Sequence, residues 1–207
     1  MRFFTLWRSW AAVLAAAGVL AAGACGTLSS SPESGGASSA PGAAVTSSPG
    51  QAQVHNDADV SFAQNMIVHH RQAIEMASLA PSRASDARVK DLAGRIQKAQ
   101  DPEINLMSQW LTSWGQPVPG EGHGGSHAGM PGMMTETDMG QLTAASGKDF
   151  DRMFLHMMIR HHQGAIEMAT TEKSAGSFGP TRKLAEDIIT AQSAEITEMR
   201  QLLDQLG

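Results

Sequence analysis

Two stretches of the chain carry residues able to do chemistry: MIVHHRQAIEMA, beginning at Met66, and MIRHHQGAIEMA, beginning at Met158. Each sets two adjacent histidines between methionines. On a helix, His69 and His70 stand about one turn after Met66, and Met76 lies two turns beyond His69 on the same stripe. In the second stretch Met153, Met157 and His161 succeed one another at i, i+4, with Met158 and His162 beside them and Met168 in the place of Met76. A thioether and an imidazole one turn apart can reach one ion. Soft thioethers favour Cu(I), or the similar Ag(I), whereas imidazole alone suits zinc, copper, nickel or iron. Copper is therefore the metal this set favours, ahead of iron or zinc. The bland alternative is a satisfied structural histidine and a core-filling methionine, the role expected of Met107 and Met199.

Between the two stretches, GQPVPGEGHGGSHAGMPGMMTETDMG runs from Gly115 to Gly140. Its glycines and prolines predict a long irregular crossover. His123, His127, Met130, Met133, Met134 and Met139 lie in it, and a His/Met-rich tract is a compositional metal signal. The tract reads either as an auxiliary metal site or as an incidental linker. Four polar residues, Gln100, Glu103, Gln192 and Glu195, also project toward apolar stripes. A buried carboxylate must be paired, hydrogen-bonded or bound to metal. These residues either accept a ring N–H and fix a histidine tautomer, bind metal themselves, or form an interhelical network that sets register. Glu75 and Glu167 fall on the opposite sides of their helices, toward solvent.

The elements that position these groups come from a duplication. The histidine pairs recur at a constant offset of 92 residues, and so do Asp59/Asp151, Phe62/Phe154, Gln100/Gln192, Glu103/Glu195 and Leu111/Leu203. Each copy reads as two helices. Phe62, Met66, His69, Ala73 and Met76 share one stripe. Leu92, Ile96, Ala99, Glu103, Met107, Trp110 and Trp114 form a second, and Leu184, Ile188, Ala191, Glu195, Met199 and Leu202 repeat it. Pro81 follows the first helix. Gly176 and Gly179-Pro180 separate the third helix from the fourth, and Pro180 suits a first turn. Pro102 objects: inside the second helix it removes an amide donor and predicts a kink, or a new helix capped by Asp101. The predicted fold is all-α, an antiparallel four-helix bundle of two hairpins, 57–115 and 147–207, joined by a crossover at 116–146.

Residues 1–24 stand apart. Arg2 and Arg8 lead into WAAVLAAAGVLAAG, a run of secretory length that is short for a bilayer span. It closes in LAAGAC at Cys25, the one cysteine of the chain. This end resembles the lipobox of bacterial lipoproteins, in which the cysteine is lipidated, although Ala22 stands where leucine is usual. A plain signal peptide with an incidental cysteine is the alternative. The Ser-, Gly-, Ala- and Pro-rich segment 25–56 has little to bury and predicts a flexible tether. The expected place is the outer face of the cytoplasmic membrane, reached through the lipid anchor alone. Loss of the leader removes two of 15 basic residues and none of the 20 acidic ones, moving the formal charge from −5 to −7. That argues against nucleic acid or an anionic lipid surface as partner.

The pattern D..F...MI.HH..AI.MA, followed by A..I...Q..EI..M, resembles the exported proteins grouped as the domain of unknown function 305 family, over about Asp57 to Gly207. The resemblance implies a ferritin-like four-helix bundle and, for some members, copper binding outside the cytoplasm. Its motif falls on Met66, His69, His70 and Met76, and again on Met158, His161, His162 and Met168. Pro102 and the Met-rich crossover are not part of it. The expected function is extracytoplasmic sequestration or transfer of Cu(I) or Ag(I), with the ion and a copper-handling protein outside the cytoplasm as partners. No catalysis is expected, since no thiol nucleophile, Ser-His-acid set or phosphate loop stands out. Two rivals remain open. One is a ferritin-like di-metal oxidase in which Glu103 and Glu195 bridge ions held by the four histidines, although the Glu-x-x-His pattern of such sites is missing. The other is a metal-free structural or partner-binding bundle.

Overall fold

In a computed structural model, residues 54–120 and 129–206 are described. The leader, Cys25, the tether to residue 53, His123 and His127 lie outside them. The described chain forms α1 (Asp57–Arg83), α2 (Ala87–Ser113), α3 (Glu136–Ala144), α4 (Gly147–Ala175) and α5 (Gly179–Leu206). Among the described residues no helix is long and apolar enough to cross a membrane.

The first helix starts where Asn56 accepts the Ala58 and Asp59 amides at 3.0 and 3.1 Å while Asp59 accepts the Asn56 amide at 2.7 Å. This reciprocal cap satisfies amides that the helix itself cannot. The Asn56 amide group also donates to Ala175 O and Ser177 Oγ, and His55 stacks on Trp114 at 4.4 Å. His55 and Asn56, inside the segment expected to be tether, thus contact the bundle.

Four local expectations need correction. α1 does not stop before Pro81: it runs to Arg83, and the Ala84 amide bonds the Ala80 carbonyl at 3.0 Å. Pro81 is exposed, and burial of Ala77, Ala80 and Ala84 carries the helix through. Pro102 is likewise exposed within an unbroken α2, and no second helix begins at Asp101. The crossover is not irregular throughout. Thr135 and Asp138 form a capping box that starts α3, and Leu142 buries its face. Lastly, the α2 and α5 seams pass through Gln100 and Gln192, which are buried, while Ala99 and Ala191 are exposed. A step of three from Ile96 swings about 60° off the seam, and the step of four is the smaller error.

α1 packs on α2 and α4 on α5, and the hairpins meet chiefly through α1 and α4, with a lesser α2–α5 contact. The result is the expected four-helix bundle, with α3 set against α1 and α4. Two buried carboxylates make α1 and α4 antiparallel. Asp59, at the start of α1, accepts the Ser177 and Phe178 amides at 3.1 and 3.0 Å and the Thr181 hydroxyl at 2.6 Å. Asp151, at the start of α4, accepts the Ser85 and Asp86 amides, both at 3.0 Å, and the Ser85 hydroxyl. Each hairpin therefore closes the turn of the other. Hydrogen bonds to a charged group contribute about 1.5–3 kcal/mol each, so these contacts outweigh any surface ion pair in the molecule.

The apolar core falls into two clusters. One contains Phe62, Met66, Ile67, Met107, Leu111 and Leu184; the other contains Met76, Leu92, Ile96, Phe150, Phe154, Met158 and Met199. Along each long helix the switch from one cluster to the other falls at a polar pair: His69-His70, Gln100/Glu103, His161-His162 and Gln192/Glu195. A polar layer crosses the middle of the bundle.

Candidate metal centre

All four histidines of the layer are fully buried. Adjacent side chains on a helix diverge by about 100°, so each pair must split between two neighbours. His69 and His161 face each other across the α1–α4 contact, ring centroids 3.7 Å apart and planes tilted by 39°. His70 and His162 turn instead to their own hairpins, where Nε2 lies 2.7 Å from Glu103 Oε2 and Glu195 Oε2 respectively. A carboxylate can only accept, so Nε2 is the nitrogen that donates, and Nδ1 faces away from it. The Pro131 carbonyl, 3.1 Å from His69 Nε2, sets the same tautomer there.

None of the four Nδ1 atoms has a hydrogen-bond partner among the described residues, nor does Nε2 of His161. Burial, and then the charge of His70, drives the His69 imidazole down to about 3; burial, and then His69, holds His161 well below its ordinary range. Both rings are therefore neutral near neutral pH and offer lone pairs. An unpaired buried polar atom costs about 1–3 kcal/mol, and this layer keeps five on its histidines alone. A layer of leucines would be more stable. The arrangement supplies bare nitrogen donors at the expense of stability, as a binding layer does.

In α1 and α4 methionines flank the layer on both sides. Met66 shares one apolar cluster with Met168, and Met76 shares the other with Met158. Because α1 and α4 are antiparallel, Met66 lies on the same side of the layer as Met168, and Met76 on the same side as Met158, across the two hairpins. Among the described residues no three His, Cys, Asp or Glu side chains are placed to hold an ion. Glu103 and Glu195 each accept a ring N–H, the contact that one of their open readings calls for. Gln100 and Gln192 do not share it: both are buried with Oε1 unpartnered.

The crossover lies over this layer. Gln72 accepts the Met134 amide at 2.7 Å and donates to its carbonyl at 2.9 Å. Arg160 donates to Met134 Sδ at 2.9 Å and to Asp138 at 2.8 Å. Gly164 leaves room for the strap, since a Cβ there would stand 2.0 Å from the Pro131 oxygen; a Cβ on Gly132, at φ +76°, would stand 2.6 Å from the Arg160 oxygen of α4. Met134 is buried, and Met130 and Met133 are half-buried. Met153 and Met157 line an outer groove that excludes His161. Glu75 and Glu167 are exposed, as expected.

The sequence reading missed Asp59, Asp151 and Glu172. All three lie on the helix stripes, and a charge on an apolar stripe was the available signal. Glu172 is buried, and neither of its oxygens has a hydrogen-bond partner among the described residues. A Cβ on Gly176 would stand 2.1 Å from Glu172 Oε1 and 2.9 Å from Asp59 Oδ1, so the two carboxyls crowd one point. Burial, and then the Asp59 carboxylate, push Glu172 up to about 7. Burial works to raise Asp59 too, but bonds from Thr181, Asn56 and Phe178 outweigh it and hold that carboxyl below its usual range.

The model of the domain of unknown function DUF305 matches residues 59–203. Solved DUF305 structures from Streptomyces coelicolor, a protein taken to be secreted, and from Deinococcus radiodurans are each 34% identical to the chain. They cover 72% of it and 94% and 97% of their own chains, with TM-scores of 0.67 and 0.66. CopM in its Cu(II)-bound form is 37% identical over 72% of this chain and 97% of its own, with a TM-score of 0.64. CopM has also been solved in Cu(I)- and Ag-bound forms. No curated protein matches the sequence.

Proposed function

The chain belongs to the DUF305 family, in which CopM is known with copper bound, and from that premise we propose that it binds Cu(I) or Ag(I) outside the cytoplasm, either sequestering the ion or passing it on. The observation that carries this reading is the buried layer of four histidines, each with a bare Nδ1, between methionine-bearing clusters. Imidazole and thioether together suit a soft monovalent ion and survive in an oxidising compartment, where a thiolate would be lost to disulfide. Glu103 and Glu195 hold two of the rings in the tautomer that exposes Nδ1. No catalytic step is part of the proposal. Cys25 would carry the lipid, and Cys25→Ser is expected to move the protein from the membrane fraction to the soluble one.

The test is an anaerobic Cu(I) titration of the full chain against a chromophoric Cu(I) chelator, with a His69/His70/His161/His162→Ala variant whose helicity is checked by circular dichroism. The parent should retain copper that the variant loses. A gentler Glu103→Gln/Glu195→Gln variant should weaken binding by about 10- to 100-fold, the usual effect of removing a ligand's supporting partner. If both variants match the parent, the histidine layer is not the site.

A further inference from the structure

α4 carries a second group of soft donors that the buried layer does not use. Met153, His156 and Met157 stand at i, i+3 and i+4, within one helix face. They line an open groove of about 730 Å³ together with Asp149 and Arg152 of the same helix and Gln141, Ala144 and Ala145 of the α3 end. His156 is exposed, and both methionines are half-buried. Arg152 is held toward the C-terminus by donating to Leu206 O at 3.2 Å, and Asp149 offsets its charge in the groove.

The other hairpin is an internal control. The residues 92 positions earlier are Ser61, Gln64 and Asn65, on the same face of α1. None is a soft donor, and the helix forms there equally well, so the fold does not require two methionines and a histidine at these positions. Packing by α3 accounts for apolar side chains at Met153 and Met157, which rest against the core. It does not account for an imidazole exposed between them.

The geometry points to a solvent-open site for a soft monovalent ion, Cu(I) or Ag(I), with the thioethers of Met153 and Met157 and the imidazole of His156 as its donors. Two thioethers and one imidazole make a low-coordinate set of the kind soft ions prefer. This rests on the reading of the protein as a soft-metal binder and adds where the ion is first met. An ion at this face needs no rearrangement of the bundle, whereas the histidine layer lies beneath the crossover strap. The site is distinct from the buried one and should survive removal of the four layer histidines.

The experiment uses the full chain with 13C-labelled methionine methyls, titrated with Ag(I) in chloride-free buffer and followed by NMR. The Met153 and Met157 methyl signals should shift at substoichiometric Ag(I). Met153→Leu/Met157→Leu keeps the apolar packing and removes both sulfurs. His156→Gln installs the residue type of the first hairpin at an exposed position, so it leaves the fold in place. Each should weaken Ag(I) binding at this face by about tenfold or more, since loss of a mere supporting partner already costs about 10- to 100-fold. If Ag(I) shifts only other methionines, such as Met66 or Met158, this site is refuted while the proposed function stands. If Ag(I) moves no methionine signal and the chain fails to compete with a chelator, both are refuted.

Discussion

At the turn between α1 and α2, Asp151 is surrounded by Ser85 and Asp86 and has the apolar Ala80 and Val89 of the other hairpin near its level. At the turn between α4 and α5, Asp59 meets the equivalent Ser177 and Phe178, but Glu172 and Thr181 replace the alanine and the valine. The same device closes both ends of one bundle. One end is built of apolar neighbours around a carboxylate, while the other crowds a second acid beside it. Duplication copied the contacts that hold the bundle together, and later divergence changed what surrounds them. The same contrast recurs where the crossover lands: Gln72 grips it by side-chain hydrogen bonds, and its counterpart Gly164 yields space to its backbone.

The largest expected effect comes from breaking the shared device. Asp151→Ala strands two backbone amides and a hydroxyl, and should cost on the order of 3–5 kcal/mol in urea unfolding. Asp59→Ala should cost less when measured above pH 7, because removing the Asp59 charge lets Glu172 ionise without repulsion. Equal losses at that pH would mean the two acids are not coupled.

Next in size is the strap. Gly164→Ala places a methyl where the Pro131 carbonyl sits, an overpacking of about 1–3 kcal/mol that moves the strap. Acylation of His69 by diethyl pyrocarbonate, mapped by mass spectrometry against exposed His156, should speed up in this variant. Gln72→Ala, which removes hydrogen bonds without a clash, should speed it less. A His69 equally protected in both variants would show that neither contact seats the strap.

The smallest effect is a pH dependence. Glu172 releases its proton near its ordinary value in the unfolded chain but only at about 7 when folded. The folded state therefore binds the extra proton between those values, and stability falls as pH rises from about 4.5 to 7, by no more than on the order of 2 kcal/mol. Glu172→Gln should abolish that slope and be the more stable protein above pH 7. The depressed imidazoles of His69 and His161 act oppositely, losing stability as pH falls below their unfolded value. They act in parent and variant alike, and so cancel in the difference. Parallel urea midpoints for parent and variant across this range would contradict the Glu172 assignment.

Much of this was legible before any coordinates. The 92-residue offset, the stripe from Phe62 through His69 to Met76, and the apolar seams of α2 and α5 are local patterns, and they were enough to place the bundle and the paired histidines at its core. Pro81 misled because local helix-breaking lost to the burial of Ala80 and Ala84, a contact with distant residues. Ala99 misled because an error of about 60° on the wheel is invisible until a neighbour defines the seam. α3 could have been read from the Thr135-to-Asp138 box but was hidden among glycines.

What the sequence alone determined is therefore the set of helices, their duplication and the donor types carried by each, since periodicity and repetition need only the chain. What the tertiary structure decided is the company those donors keep. Antiparallel packing put Met66 and Met168 in one apolar cluster and Met76 and Met158 in the other, gave His70 to Glu103, and pressed His69 against His161. Those pairings depend on the register and hand of helices far apart in the chain, and no spacing within one helix encodes them.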